Sequence, residues 1–209
     1  NAFPRPSTIE KWSATAADGF EFVVCASKLI THPSKKTAAA STKILAHRIG
    51  YFQDTAEVRQ AFQRTWAAAE TLKSKIVLFQ CPAFFSPHAD HVQRLQKFFQ
   101  PIPRGNKHIV WEPPASWPLT LVESLSRSLY LTPSANPLAK NYKPTNSPMR
   151  YFRIGANGKT SGISHMSDLE LQDIKAACDR PLSYVVFNNG PTAFADALKP
   201  GTFTVGPTP

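Results

Sequence analysis

The sequence predicts an α/β protein made of parallel strands and crossover helices. Short apolar runs alternate with longer stretches of helical periodicity along the 209 residues, the order that generates a parallel sheet covered by helices. The runs are apolar at nearly every position, as strands covered on both faces require. No G-x-G-x-x-G follows a strand and no G-x-x-x-x-G-K-[ST] occurs, so the nucleotide-binding versions of an open sheet lose support. A doubly wound sheet and a closed barrel both fit the alternation.

The elements follow in order. Asn1 to Lys11 alternates polar residues with Pro4 and Pro6 and lacks the apolar stretch of a signal peptide. Phe20 to Cys25 is a strand, rich in aromatic and β-branched residues. Glu57 to Ser74 is a helix with Val58, Phe62, Trp66 and Leu72 near one face. Lys75 to Gln80 is a strand stopped by Pro82, and Ala89 to Gln100 a helix carrying Val92, Leu95, Phe98 and Phe99 on one side. His108 to Glu112 is a strand ended by Pro113-Pro114. Leu119 to Ser128 is helical, with a short strand expected at Leu129 to Leu131. Pro133 to Pro148, rich in Pro, Asn, Ser and Lys, reads as a long loop. Arg150 to Ile154 is a strand. Ser167 to Ala177 is a helix whose Ser167 and Glu170 have capping-box spacing and whose apolar face is Leu169, Ile174 and Ala177. Leu182 to Phe187 is the last strand, and 199–209 an extended tail with three prolines. One domain over 1–198 is expected.

Composition bounds the function. The hydrophobic fraction of 42% supports a sizeable core, and no apolar run is long enough to span a bilayer. Three widely spaced cysteines, Cys25, Cys81 and Cys178, with no CxxC, argue against a disulfide framework or a thiolate zinc site. They read as three reduced, buried thiols in a cytoplasmic protein. Lys and Arg number 24 against 14 acidic residues, a net charge of +10 at pH 7. That excess favours polyanions, although the basic residues are scattered, with Lys35-Lys36 the only adjacent pair.

Polar residues concentrate where the apolar runs end: Gln80, Glu112, Arg153 one residue before its run ends, Asn188-Asn189, and Thr31-His32 soon after the first run. In a barrel these positions share the C-terminal rim, where barrel enzymes place their sites.

The same residues carry a family resemblance. Arg5-Pro6-Ser7 leads to Trp12, then Phe20-Glu21-Phe22-Val23-Val24-Cys25-Ala26 and Ile30-Thr31-His32. Leu78-Phe79-Gln80-Cys81-Pro82-Ala83-Phe84 follows, then Val110-Trp111-Glu112-Pro113-Pro114-Ala115-Ser116-Trp117 and Tyr151-Phe152-Arg153-Ile154-Gly155. The series closes with Phe187-Asn188-Asn189 and Asp196-Ala197. In order and spacing it resembles the YecE-like family, the domain of unknown function seventy-two. The resemblance implies a TIM-type (β/α)₈ barrel, incomplete at the N-terminus because the chain starts near the end of the family's second strand. Such a barrel leaves sheet edges that a further segment or subunit would close. Four positions depart from the family pattern: its lysine is Cys25 here, its arginine after the glutamate is Pro113, the aspartate before Pro133 is Thr132, and its histidine is Gly155.

Two functional classes remain open. In the first, a hydrolase- or lyase-type enzyme acts on a phosphorylated small molecule. Glu112 would be its acid or base, Arg153 its anion clamp, and His32 a further base or ligand. In the second, a binding protein takes an anionic ligand or nucleic acid at the rim through Thr31, Gln80, Ser116, Trp117, Asn188 and Asn189. Trp111, Trp117 and Phe84 suit either the core or stacking on a base or sugar. No cofactor or metal is expected, since only His32, Glu112 and His165 could converge on an ion. His88 and His91 read as surface.

Overall fold

A computed structural model describes residues 3–33, 47–155 and 166–188. Lys35, Lys36, His165, Asn189, Asp196 and the expected tail at 199–209 lie outside them. The chain forms two compact units, 1–131 and 132–209.

The first unit opens with α1 (Pro6–Thr15), which the sequence reading did not anticipate. Pro6 occupies the first helical turn, where a missing N–H costs nothing and a fixed φ helps. Only Ile9 of this helix is buried, so no apolar stripe announced it. Strand β1 (Val23–Cys25) is shorter than expected. It pairs only three residues with β2, and Phe20 lies 61% exposed before it. A single helical turn, α2 (Lys28–Thr31), follows. Then come α3 (Ala56–Thr71), β2 (Ile76–Gln80), α4 (Ala89–Phe99), β3 (His108–Glu112) and α5 (Leu119–Ser128).

Strands β1, β2 and β3 are parallel neighbours in that order. Side chains alternate across a strand, so the ladder has two faces. Val24, Val77, Phe79, Ile109 and Trp111 join one core with Val58, Ala61 and Ala68 of α3, Leu95 and Phe99 of α4, and Val122 and Leu125 of α5. The other face starts at the half-buried His108, carries Ile76, Leu78 and Val110, all nearly inaccessible, and ends in Gln80 and Glu112. The buried face of α3 is built from small residues, while Phe62 and Trp66 are only half-buried. Close approach of helix to sheet, rather than large side chains, fills this layer.

The second unit holds β4 (Leu131–Ala135), β5 (Met149–Ile154), α6 (Asp168–Ala177) and β6 (Leu182–Phe187), with Leu131 at the boundary between the units. Strand β4 starts later than expected, after Tyr130 at φ 52°, and runs through Pro133 into the stretch that reads as loop. Proline donates nothing to a ladder, and β4 meets β5 beyond it, through Ser134–Tyr151 and Ala135–Phe152. Strand β5 pairs with β6 along all six residues. Phe152 and Ile154 pack with Leu171 and Ile174 of α6. The capping box at Ser167–Glu170 is formed. The expected apolar face is rotated, however: Leu169 is 67% exposed and Leu171 is buried. Leu171 and Ile174 are three apart and share a face, whereas Leu169 is five residues from Ile174 and falls off it.

All the described ladders are parallel, so the α/β class holds; a closed set of eight strands is not present among the described residues. No described helix is long and apolar enough to cross a membrane.

Arg150 anchors the second unit. Its guanidinium is 3% exposed and donates to both carboxylate oxygens of Asp179, at 2.7 and 3.1 Å, and to the Thr145 carbonyl at 2.8 Å. The Arg150 hydrogen bonds hold the Asp179 carboxyl below its ordinary range. A depressed carboxylate contributes stability that is present above its unfolded pKa and is lost as pH falls through the folded one. Urea unfolding of Asp179→Asn should therefore show less acid destabilisation than the parent below about pH 4, the ordinary aspartate range. Equal acid sensitivity would assign no pH-linked role to this pair.

Candidate functional site

The loop from β1 into α3 is built around three consecutive residues in the left-handed region, Gly50 (φ 82°), Tyr51 (φ 49°) and Phe52 (φ 54°). Their N–H groups donate to the carbonyls of Leu29, Thr31 and Ile30 at 2.8, 3.2 and 2.9 Å. Those carbonyls are the ones a helix end leaves without partners. The loop thus caps α2 from outside, while the Ser27 hydroxyl accepts from the Leu29 N–H at its start. A Cβ on Gly50 would lie 2.3 Å from the Pro33 nitrogen and 2.4 Å from the His32 carbonyl carbon. Only glycine fits there.

This arrangement positions Thr31 and His32. Thr31 ends α2 instead of standing on an open rim loop, and it is buried. Its hydroxyl lies 2.8 Å from His32 Nδ1, which orients the half-buried imidazole. Thr31 is thus placed to orient the His32 ring, and its own side chain is shielded from solvent.

Gln80 and Glu112 are brought together. They end β2 and β3, are direct register partners and are both half-buried. Beyond them the chain turns sharply. The Cys81 N–H donates to the Glu112 carbonyl at 3.1 Å, and the Phe85 N–H to the Pro82 carbonyl at 2.9 Å. That turn buries Phe85 completely and leaves Phe84 45% exposed.

Trp117 is in the core. It is 5% exposed, stacks on Phe85 at 5.4 Å and donates its indole N–H to the Phe85 carbonyl at 2.6 Å. Trp111 is fully buried, edge-on to Trp117 at 5.1 Å. Of the three aromatics considered for stacking, Phe84 alone is exposed. Ser116 is exposed in the turn between β3 and α5.

Arg153 and Asn188 belong to the second unit. Arg153 is half-buried on the β5 face opposite Phe152 and Ile154, level with Val186. Asn188 is exposed, and its backbone N–H continues the ladder by donating to the Ile154 carbonyl at 2.9 Å. Gly155, where the resemblance implies a histidine, has φ 78°; the backbone here suits glycine and would strain any other residue. Among the described residues no three His, Cys, Asp or Glu side chains converge to hold a metal. A cavity of about 370 Å³ lies between α1 and α3, lined by Phe3, Arg5, Ile9, Arg64 and Ala68 among others, and no strand-end residue borders it.

Sequence reasoning missed Tyr51 and misplaced His91. His91 is half-buried in the first turn of α4, stacked on Phe85 at 4.7 Å and 4.6 Å from Tyr51. Burial raises the Tyr51 phenol. The signal was weak, because this cluster joins residues from 51 to 117 that no local spacing links.

The thiols differ from one another. Cys25, at the end of edge strand β1, is exposed rather than buried. Burial pushes the Cys81 thiol far up; the Trp111 indole, which donates to Sγ at 3.2 Å, opposes this and the Glu112 carboxylate adds to it. Cys81 is thus held as an inert thiol.

Parallel α/β architecture with polar residues delivered to the C-terminal ends of strands defines the general class. Within it, the chain belongs to the family described as protein of unknown function DUF72, whose model matches residues 2–198. Two solved structures are similar. A DUF72 family protein from Thermotoga maritima aligns with TM-score 0.61 and 21% identity over 92% of this chain and 76% of its own. A DUF72 family protein from Enterococcus faecalis aligns with TM-score 0.64 and 19% identity over 93% of this chain and 78% of its own. No curated protein matches the chain.

Two outcomes are expected. Gly50→Ala should lose at least about 3 kcal/mol in urea unfolding, from left-handed strain plus backbone overlap. A loss below about 1 kcal/mol would mean the loop relaxes freely. In a thiol titration of folded protein at neutral pH, Cys25 should react first and Cys81 only after denaturant is added.

Proposed function

We propose that this chain is a binding protein for an anionic ligand, with nucleic acid the first candidate, held at the C-terminal ends of its strands. The observation that carries this reading is the in-register pair Gln80–Glu112, an amide beside a carboxylate, ending a sheet face that is apolar at Ile76, Leu78 and Val110 and carries His108 at its opposite end. A largely apolar surface with a few fixed polar groups is the usual composition of a ligand site. Gln80 offers a donor and an acceptor, and Glu112 accepts from amino or hydroxyl groups. In the second unit, Arg153 offers a guanidinium fork suited to phosphate. The net charge of +10 supplies the longer-range attraction.

A second reading, a hydrolase- or lyase-type enzyme on a phosphorylated small molecule with Glu112 as acid or base, draws on the half-burial of Glu112 at a strand end. The binding reading is preferred. Four polar or charged groups of the family pattern are replaced by Cys25, Pro113, Thr132 and Gly155, which removes partners that acid–base chemistry would use. On the same reading the six strands are part of an eight-stranded barrel. A further segment or subunit would complete it along the outer edge of β1, the end of the strand order. The three cysteines form no disulfide, which suits a reducing, cytoplasmic compartment.

Binding of short DNA and RNA oligonucleotides at two salt concentrations tests the proposal. We expect an affinity that falls steeply with salt, and a log–log slope that drops by about 0.9 for each phosphate-binding Lys or Arg replaced by alanine. Glu112→Gln should alter which oligonucleotide is preferred while leaving the slope unchanged. If no oligonucleotide binds and Glu112→Gln abolishes turnover of a phosphorylated small molecule, the enzymatic reading replaces this one.

A further inference from the structure

We propose that Phe84, Tyr51 and His91 form a shelf on which one unpaired nucleobase stacks, so that the chain selects single-stranded over double-stranded nucleic acid. The inference rests on the binding reading above and specifies what is bound.

The shelf is assembled by two turns. The turn Pro82–Phe85 lies one residue beyond Gln80 and divides two adjacent phenylalanines, Phe85 into the core and Phe84 outward with 45% exposure. The left-handed turn at Gly50–Phe52 does the same to its own pair. Phe52 enters the core against Phe79, Phe85, Phe98 and Phe99, and Tyr51 stays half-buried beside Phe84, edge to face at 6.3 Å. Tyr51 stacks on Phe85 at 5.5 Å, and Phe85 in turn stacks on Trp117. The outward rings are therefore backed by a rigid aromatic column. A rigid aromatic surface gives up little entropy when it receives a ligand ring.

Two positive-φ residues other than glycine, adjacent in the chain, have an energetic cost. Strain of this kind persists where the surroundings impose it and concentrates at ligand clamps. Here it places Tyr51 against His91.

His91 adds specificity. Its Nδ1 lies 2.8 Å from the Ser86 carbonyl. A carbonyl only accepts, so Nδ1 carries the proton and Nε2 of the neutral ring presents a lone pair. Nε2 has no hydrogen-bond partner among the described residues. An acceptor at the border of a stacking surface suits the amino or imino edge of a base, an edge that a duplex conceals. Arg94, half-buried three residues further along α4, supplies a cation on the same side of the helix. Asp90, exposed in the first turn, is the local counter-charge.

The experiment compares oligothymidylate, an abasic strand of the same length and a duplex, each against the parent, Phe84→Ala and Phe84→Tyr. The abasic strand keeps every phosphate and lacks only the rings. We expect the parent to bind oligothymidylate about tenfold or more tighter than the abasic strand, within the range of one stacked base. Phe84→Ala should erase that difference and Phe84→Tyr restore it. Melting temperatures serve as the folding control, since Phe84 is on the surface. Equal binding of all three nucleic acids, unaffected by Phe84→Ala, overturns the shelf and leaves the anionic-ligand reading standing. Failure of every nucleic acid to bind overturns the shelf and removes nucleic acid as the first candidate ligand.

Discussion

Five register pairs between β2 and β3, from Ile76–His108 to Gln80–Glu112, govern the first unit. Because side chains alternate strictly along a strand, this register decides which residues meet the helices and which face away. It sends Phe79 and Trp111 into the core with α4 and α5, and Gln80 and Glu112 to the opposite face. A slip of one residue would put a carboxylate among phenylalanines and expose a tryptophan. The cost of burying an unpaired charge is large, so the register that buries the aromatic layer also sets the candidate site. Stability and site geometry here are one constraint.

Around that ladder the chain uses backbone conformation where it lacks long elements. Strand β1 has three residues and α2 has four, too few for either to persist alone. Ser74 ties the bottom of β1 to the start of β2 by donating to the Phe22 carbonyl at 2.6 Å. Thr65 on α3 accepts from the Ser27 N–H at 3.2 Å. These side chains replace the hydrogen bonds that a longer strand and helix would have made among themselves. The second unit relies on one buried guanidinium in the same way: Arg150 joins Asp179 to the chain around Thr145.

What the sequence revealed, and what it hid, follows from how local each signal was. Helices α3, α4 and α5 of the first unit and strands β2, β3, β5 and β6 were legible, because each has its own periodicity or apolar run. The strand ends Gln80 and Glu112 were legible for the same reason: they are where the run stops. Helix α1 was hidden because it buries only Ile9. The continuation of β4 to Ala135 was obscured by Pro133, a residue that ordinarily argues against a strand. Leu169 was assigned to the core because it is apolar, and the helical rotation set by Leu171 and Ile174 excluded it. Trp117 was offered to a ligand because aromatics near strand ends are versatile. Its N–H is used by Phe85, a partner 32 residues away that spacing could not indicate. Tyr51 and His91 meet across the fold, so only the structure joins them.

The three carbonyls of α2 accept from Gly50, Tyr51 and Phe52, and this has a thermodynamic consequence for His32. A single helical turn does not survive release of its cap. Undocking of the Gly50–Phe52 segment and melting of α2 are consequently one cooperative event, and because Phe52 is buried among Phe79, Phe85, Phe98 and Phe99 that event also opens the aromatic core. The orientation of His32 fixed by Thr31 exists only in the docked population. A ligand that used His32 would bind only that population, and would therefore stabilise the docked segment and the core behind it against opening.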